Sequence, residues 1–537
     1  MSDPLFLILS GRYVGPELVS EFGRLPPSFL PNGTERLLET QVAFARTLTT
    51  NIALTLPSDF AVPSFDASRL AQDAVKVLPM DDTQTLPAGI ANALKTLGHS
   101  GRLLLLFGDT LVTYPEPGSR PDTFATGTTQ HLAMWADFDI LDGAVRFQQS
   151  VGTGGQSRTV VAGFFDFADS ALLRRHAGEA DDFVDVLNGY ASDRPLEPVE
   201  TIRWLDFGHL HTYHRSRCTQ FAARDFNRVV GDGLSVRKAG TPARKIFAEA
   251  AWFQNLPPRF RPFVPHFIDL HRQPEVAYET EYLYLPLLSE LYCFASLPSQ
   301  SWGNILASCK TFLELCHLAK PSSYETLPDY PGRFFEDMIL GKTFKRLAQF
   351  AQSAGLSLDQ RWMFDGTDMP SLKDTAESLI ALVAPTREDD ICLWHGDFHF
   401  ANIFFDFRSQ RVKVVDPRGM LSDGSMTMFG DARYDIAKLT HSTVGMYDLL
   451  MAGRYELRYD GRYHIAIDFG HDPERERFVA EYSETRIGRY GCGSAETLAL
   501  VALLFLSMLP LHEGQRNVQL AILANGLRMA KLAHAAA

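Results

Sequence analysis

The sequence predicts an α/β chain in two parts: an N-terminal domain built on a mostly parallel sheet, then a larger α+β domain. Three observations predict it. In the first third, short apolar runs alternate with helical stretches, the order that builds parallel sheets. Near residue 230 a polar turn joins two strand-like runs and a helix follows. Near residue 400 two apolar runs bracket a polar loop carrying His, Asp and Asn at fixed spacing.

The whole chain bounds the possibilities. Its 537 residues suggest two to four domains, and 45% hydrophobic with 21% charged residues gives each an ordinary core. A formal net charge of −13 argues against nucleic acid or an anionic membrane surface as partner, but not against nucleotides. The six cysteines are scattered, with no C-x-x-C pair, which points to a reducing, cytoplasmic compartment without a zinc site or disulfide framework. Leu5 to Leu9 has no basic residues before it and is too short for a signal peptide. The run Leu498 to Pro510, interrupted by Ser507, falls short of the ~18 residues of a membrane span and reads as a buried helix.

In chain order, Leu5–Leu9 is a first buried strand, and Leu37–Ala45 is helical. Strands follow at Ile52–Leu56, Val75–Leu78 and Leu103–Phe107, with a helix at Leu86–Leu97. Ligands of such sheets sit at the carboxyl ends of strands, where Gly108-Asp109-Thr110 falls. Gly152-Thr153-Gly154-Gly155 reads as a turn before a strand at Val160–Phe165. Three segments resemble the sugar-phosphate nucleotidyltransferases: Leu25–Gln41, Gly108-Asp109, and Arg203–His209 followed by Tyr213. The resemblance implies a Rossmann-like domain with a mixed sheet over residues 1–220. It also implies Mg²⁺ held by Asp109 and Asp206 on a nucleoside triphosphate. The chain departs from that family in two places. Its phosphate loop is Gly11-Arg12-Tyr13-Val14-Gly15, and Pro27 or Ser28 stands where the family has a lysine. Gly11, Arg12 and Arg24 are then the candidates for nucleotide contact, with Arg24 as the catalytic cation. An active transferase and a silent nucleotide- or sugar-binding domain both remain open.

With no spacer rich in Gly, Ser or Pro, the boundary falls near Gln220. Phe226–Val230 and Leu234–Lys238 form a hairpin across Asp232-Gly233, and Thr241-Pro242 is a helix start. Ile246, Ala250 and Phe253 mark that helix's apolar face, and Tyr278–Leu288 is a strand running into a helix at Ser289. Residues 301–320 and 334–354 are amphipathic helices.

The segment 391–419 carries the clearest chemistry. Ile391–Trp394 ends in His395-Gly396-Asp397, Asn402 follows five residues after Asp397, and Val412–Val415 ends in Asp416-Pro417-Arg418-Gly419. Phosphoryl transfer needs one carboxylate to orient a hydroxyl, and an amide oxygen with a second carboxylate for Mg²⁺. Asp397, Asn402 and Asp416 supply them in that order.

This pattern resembles the aminoglycoside phosphotransferase and choline kinase superfamily, as does Gly430–Leu439. The resemblance implies a bilobal protein-kinase-like domain over 221–537, its small lobe about 221–290 and its large lobe about 291–537. Lys238 would contact ATP, paired with Glu249, with Lys245 the competing partner. Asp435 would brace the catalytic loop. His441 and Tyr447-Asp448 either line the acceptor pocket or lie on a helix surface. Together the halves are similar to two-domain proteins of bacterial surface-polysaccharide clusters. They imply a bifunctional enzyme that phosphorylates a sugar, polyol or similar acceptor with ATP, then activates it with a second nucleoside triphosphate. The alternative is a kinase with a silent N-terminal module. Small molecules and nucleotides are the partners; acceptor, nucleobase and any homo-oligomer stay open.

Overall fold

The computed structural model describes residues 3–115, 120–130, 134–151, 157–218, 227–322, 329–461 and 463–537. Gly152–Gly155, the boundary near Gln220 and the hairpin's first residue, Phe226, lie outside them. The chain divides into two compact units, Met1–Arg217 with Phe294–Ser296, and Cys218–Cys293 with Leu297–Ala537.

The first unit is a mixed α/β layer structure. Its seven-stranded sheet runs in the order Glu197–Glu200, Thr123–Thr129, Arg158–Phe167, Leu103–Phe107, Leu5–Leu9, Ile52–Pro57, Lys76–Met80. All neighbours pair parallel except the two contacts of Arg158–Phe167, which are antiparallel. The central strands are apolar on both faces because both faces are covered. Leu5, Leu7, Leu103 and Leu105 pack with Ile90 and Leu94 of the Leu86–Leu97 helix. On the opposite face Phe6 meets Phe44 and Phe164 at 5.9 and 6.1 Å between ring centroids. A separate antiparallel pair, Thr110–Thr113 with Arg203–Asp206, carries Asp109 and Asp206 at one end.

The second unit is α+β. A four-stranded antiparallel sheet runs Asn227–Gly231, Ser235–Gly240, Ala277–Glu281, Phe267–His271. Asp232 shapes the hairpin turn by accepting from Leu234 N–H (2.8 Å) and Ser235 N–H (2.7 Å). The helix beside it spans Ala243–Asn255. Thr241 was expected to cap it, but Pro242 occupies the cap position and no side chain caps the end. The remainder is largely helical around Ala495–Met508 and Arg516–Ala535. Ala495–His512 is, by length and composition, long and apolar enough to cross a membrane, so the expectation that it falls short is corrected. Burial accounts for its apolar character: Leu498 to Ser507 are buried in the unit.

Candidate active sites

The second unit's site is built on a strand, a loop and a strand pair. Ile391–Leu393 enters, and Ile403–Asp406 pairs antiparallel with Arg411–Val414. Between them the loop is held by its own polar groups. Asp435, near the start of the Ala432–Thr443 helix, accepts from His395 N–H at 2.6 Å and Gly396 N–H at 2.8 Å. His395 is fully buried, and burial lowers its pKa to about 4, so the ring is neutral. Its Nδ1 accepts from Asp397 N–H at 3.3 Å, so Nε2 carries the proton it donates to the Val415 carbonyl at 2.9 Å. That ring ties the Asp397 loop to the segment between the Arg411–Val414 strand and Asp416.

Two glycines are dictated by space. At Gly396 φ is +79°, and a Cβ would lie 2.6 Å from Arg418 Cβ. At Gly419 φ is +65°, and a Cβ would lie 2.4 Å from the Ala248 carbonyl oxygen. Gly419→Ala is expected to destabilise the unit by about 2 kcal/mol, because both the backbone and its neighbour must shift. A lowered urea midpoint with unchanged slope would check it.

Asp397 is oriented from two sides. Lys438 Nζ lies 2.8 Å from Oδ1, and Asn402 Nδ2 donates to the Asp397 carbonyl at 3.0 Å and to Oδ2 at 3.3 Å. Burial would raise this carboxyl's pKa, but Lys438 and His399 outweigh it and hold it well below the usual range. The group is therefore an anion poised to accept a hydrogen bond.

Lys238 sits between two carboxylates. Its Nζ is 2.8 Å from Glu249 Oε2 and 2.9 Å from Asp416 Oδ1. Burial works against its charge, but the two carboxylates overcome this and raise its pKa. Lys245 stands 3.8 Å from Glu249 with a half-exposed side chain, so Lys238 is the closer partner. Glu249 is raised by burial despite Lys238. Asp416 would be raised by burial, but Lys238 reverses this and lowers it. Its backbone lies in the left-handed region at φ +57°, uncommon for a residue with a side chain and found often at functional sites.

These donors suit a divalent cation. Asn402 uses its Nδ2 within the loop, and among the described residues no hydrogen bond occupies its amide oxygen. Among the described residues Asp416 makes its hydrogen bonds through Oδ1. An amide oxygen and an ionised carboxylate oxygen left open are hard-cation ligands.

In the first unit, Asp109 and Asp206 converge. A Cβ on Gly208 would lie 2.6 Å from Asp109 Oδ2 and 3.4 Å from Asp206 Oδ1. Burial raises both pKa values, and repulsion from Asp109 helps bring Asp206 to about 7. Asp206 Oδ2 is buried without a hydrogen-bond partner. Two desolvated carboxylates, one with an orphaned oxygen, fit a divalent cation. Among the described residues no cluster of three or more His, Cys, Asp or Glu forms a metal cage. Two protein ligands leave the remaining positions to phosphate and water, as Mg²⁺ on a nucleotide requires. Without metal, Asp206→Asn is expected to raise this unit's stability by about 1 kcal/mol, since it removes one of two repelling charges. It should also remove any Mg²⁺-dependent rise in melting temperature; calorimetry with and without Mg²⁺ checks both.

The other residues singled out in this unit are not gathered on those carboxylates. Arg24 pairs with Asp59 at 2.7 Å and Asp82 at 3.1 Å and lies over the Tyr13 ring at 3.7 Å. Arg12 donates through Nε to the Asp82 carbonyl at 3.3 Å. Gly11 packs against Met80 and Thr55. A cleft of about 340 Å³ at the other edge of the sheet is lined by Thr126, Gly127, Thr159, Glu200 and Trp204.

Sequence inspection missed Lys438 and Tyr278. Lys438 lies three residues after Asp435, on the same helix face, a signal present in the sequence. Tyr278, read only as part of a strand, donates to Glu249 Oε2 at 3.1 Å, and nothing local announced that contact.

No family model and no curated protein matches the chain. Similar solved structures each match only part of it. An aminoglycoside-3'-phosphotransferase of type VIII covers 53% of this chain and 94% of its own, with 16% identity and a TM-score of 0.29. The inositol-1-phosphate CTP transferase from T. maritima covers 42% and 99%, with 10% identity and a TM-score of 0.32. The CTP:phosphocholine cytidylyltransferase from Streptococcus pneumoniae covers 40% and 98%, with 11% identity and a TM-score of 0.30. Identity this low says nothing of activity.

Proposed function

We propose that the chain is a bifunctional enzyme that phosphorylates a hydroxyl of a small sugar, polyol or related acceptor, then activates the phosphomonoester by nucleotidyl transfer for surface-polysaccharide synthesis. The observation that carries it is the constellation Asp397, Asn402, Asp416, Lys238 and Glu249, brought together from four elements. Asp397 accepts the hydrogen bond of the acceptor hydroxyl and aims its oxygen. Lys238, fixed by Glu249, holds the α- and β-phosphates of ATP. Asn402 and Asp416 would hold Mg²⁺, which offsets phosphate charge when bound. In the first unit Asp109 and Asp206 would hold a second Mg²⁺, and Arg12 and the Gly11 backbone would meet the triphosphate.

One observation favours a second reading for that unit. Arg24, the cation nearest the position of the missing lysine, is already engaged by two carboxylates. A silent binding module with an active kinase follows if no other cation serves. Pyrophosphate release decides between them. Supplied with each nucleoside triphosphate and a phosphorylated acceptor, the bifunctional enzyme releases pyrophosphate and Asp109→Ala does not. If the unaltered protein releases none, the transferase half of the proposal fails.

A further inference from the structure

On the Tyr434 side of Lys438 several cations gather. Lys438 pairs with Asp397, and Tyr434 precedes it by one turn of the same helix. Lys342 Nζ donates to Tyr434 Oη at 3.1 Å. Arg418 lies against Gly396, the residue before Asp397, and its guanidinium donates through Nε to the Met420 carbonyl at 3.1 Å. Arg346 donates to the Ser507 carbonyl at 2.9 Å. Among the described residues Lys342, Arg346 and Arg418 have no carboxylate partner, and all three are partly buried. Burial and repulsion from Arg418, Arg346 and Lys438 push Lys342 down to about 8. Lys342, Arg418 and Lys438 bring Tyr434 down to about 8 against the effect of burial. This sits in a chain of net charge −13, so the concentration of positive charge is local.

One turn beyond Lys438 on the same helix, and in the helix that follows, lie buried polar atoms without hydrogen-bond partners among the described residues. His441 is 1% exposed, stacks on Tyr447 at 4.4 Å, and has neither ring nitrogen hydrogen-bonded. Asp448 is 4% exposed, with Oδ2 unpartnered. Buried polar atoms without partners mark places where a ligand or water completes the network.

We propose that the acceptor phosphorylated at Asp397 is an anionic hydroxy compound, its carboxylate or phosphate group held by Lys342 and Arg418 and its further polar groups by His441 and Asp448. This rests on the kinase assignment and narrows its substrate class. The acceptor oxygen bonds to the γ-phosphorus, the bond from that phosphorus to the β,γ-bridging oxygen breaks, ADP leaves, and the hydroxyl proton passes to Asp397. A cationic acceptor such as an amino sugar is repelled by the same cluster.

The test is calorimetric titration of the full chain saturated with MgADP, using inorganic phosphate and glycerate as anionic probes and glycerol as the neutral one. The expected result is saturable binding of at least one anion, no binding of glycerol, and at least tenfold weaker anion binding in Lys342→Gln, recovered in Lys342→Arg. The phosphate and glycerate arms tell which anion is preferred. MgADP affinity is measured on each variant as the control for folding. Anions bound no better than glycerol, or bound equally by Lys342→Gln, would overturn the proposal while leaving the kinase assignment standing. Failure of the unaltered chain to bind MgADP would overturn both.

Discussion

Replacing Asp397 by asparagine is expected to slow phosphoryl transfer about a thousandfold while changing MgATP affinity only a few-fold. The amide keeps the shape of the carboxylate but cannot take the hydroxyl proton. The loop itself does not depend on that charge, because Asp435 and His395 hold it through backbone groups. Lys438 loses its carboxylate partner at 2.8 Å, so the loop's surroundings gain positive charge. Steady-state kinetics therefore separate the roles. A fall in kcat with near-constant KM for ATP is expected, whereas equal losses in folding and nucleotide binding would make Asp397 structural.

The second large effect is expected from Lys238→Met, which should abolish measurable kinase activity and destabilise the unit by about 2–3 kcal/mol. Removing one partner of a buried ion pair typically costs about 3–5 kcal/mol. The smaller figure follows from Asp416, whose side chain is 41% exposed and can be rehydrated, while Glu249 is 1% exposed and cannot. Adding Glu249→Gln to Lys238→Met removes the stranded charge and should recover most of the stability but none of the activity. Urea unfolding and ADP production on the two variants check the split. A double variant as unstable as the single one would mean that packing of the lysine chain, not charge, sets the cost.

The strands and helices of the first unit were legible because both faces of its sheet are covered, which makes Leu5–Leu9 and Leu103–Phe107 continuous apolar runs bounded by proline, glycine or polar residues. The loop of the second unit was legible because its functional groups lie within 20 residues, Asp397 through Asp416, at spacings fixed by the backbone. The Thr241 cap was misplaced by one residue because Pro242 itself takes the extended cap conformation. What could not be read comes from far along the chain. Lys342 meets Tyr434 across 92 residues, and Tyr278 meets Glu249 across 29. Each is one polar residue in an ordinary helix or strand, so only tertiary packing reveals it. Arg24 shows the converse: the sequence offered a free cation, and Asp59 and Asp82, 35 and 58 residues away, occupy it.

The central claim is that one chain makes a phosphomonoester and then activates it. The direct measurement is ³¹P NMR of the full protein with Mg²⁺, ATP, the other nucleoside triphosphates and a pooled set of sugars, polyols and small hydroxy acids. The account predicts a new phosphomonoester signal, followed by a diphosphate diester and pyrophosphate, with all three missing in Asp397→Asn and only the last two missing in Asp109→Ala. A diester formed by Asp397→Asn from the same unphosphorylated acceptors would contradict it.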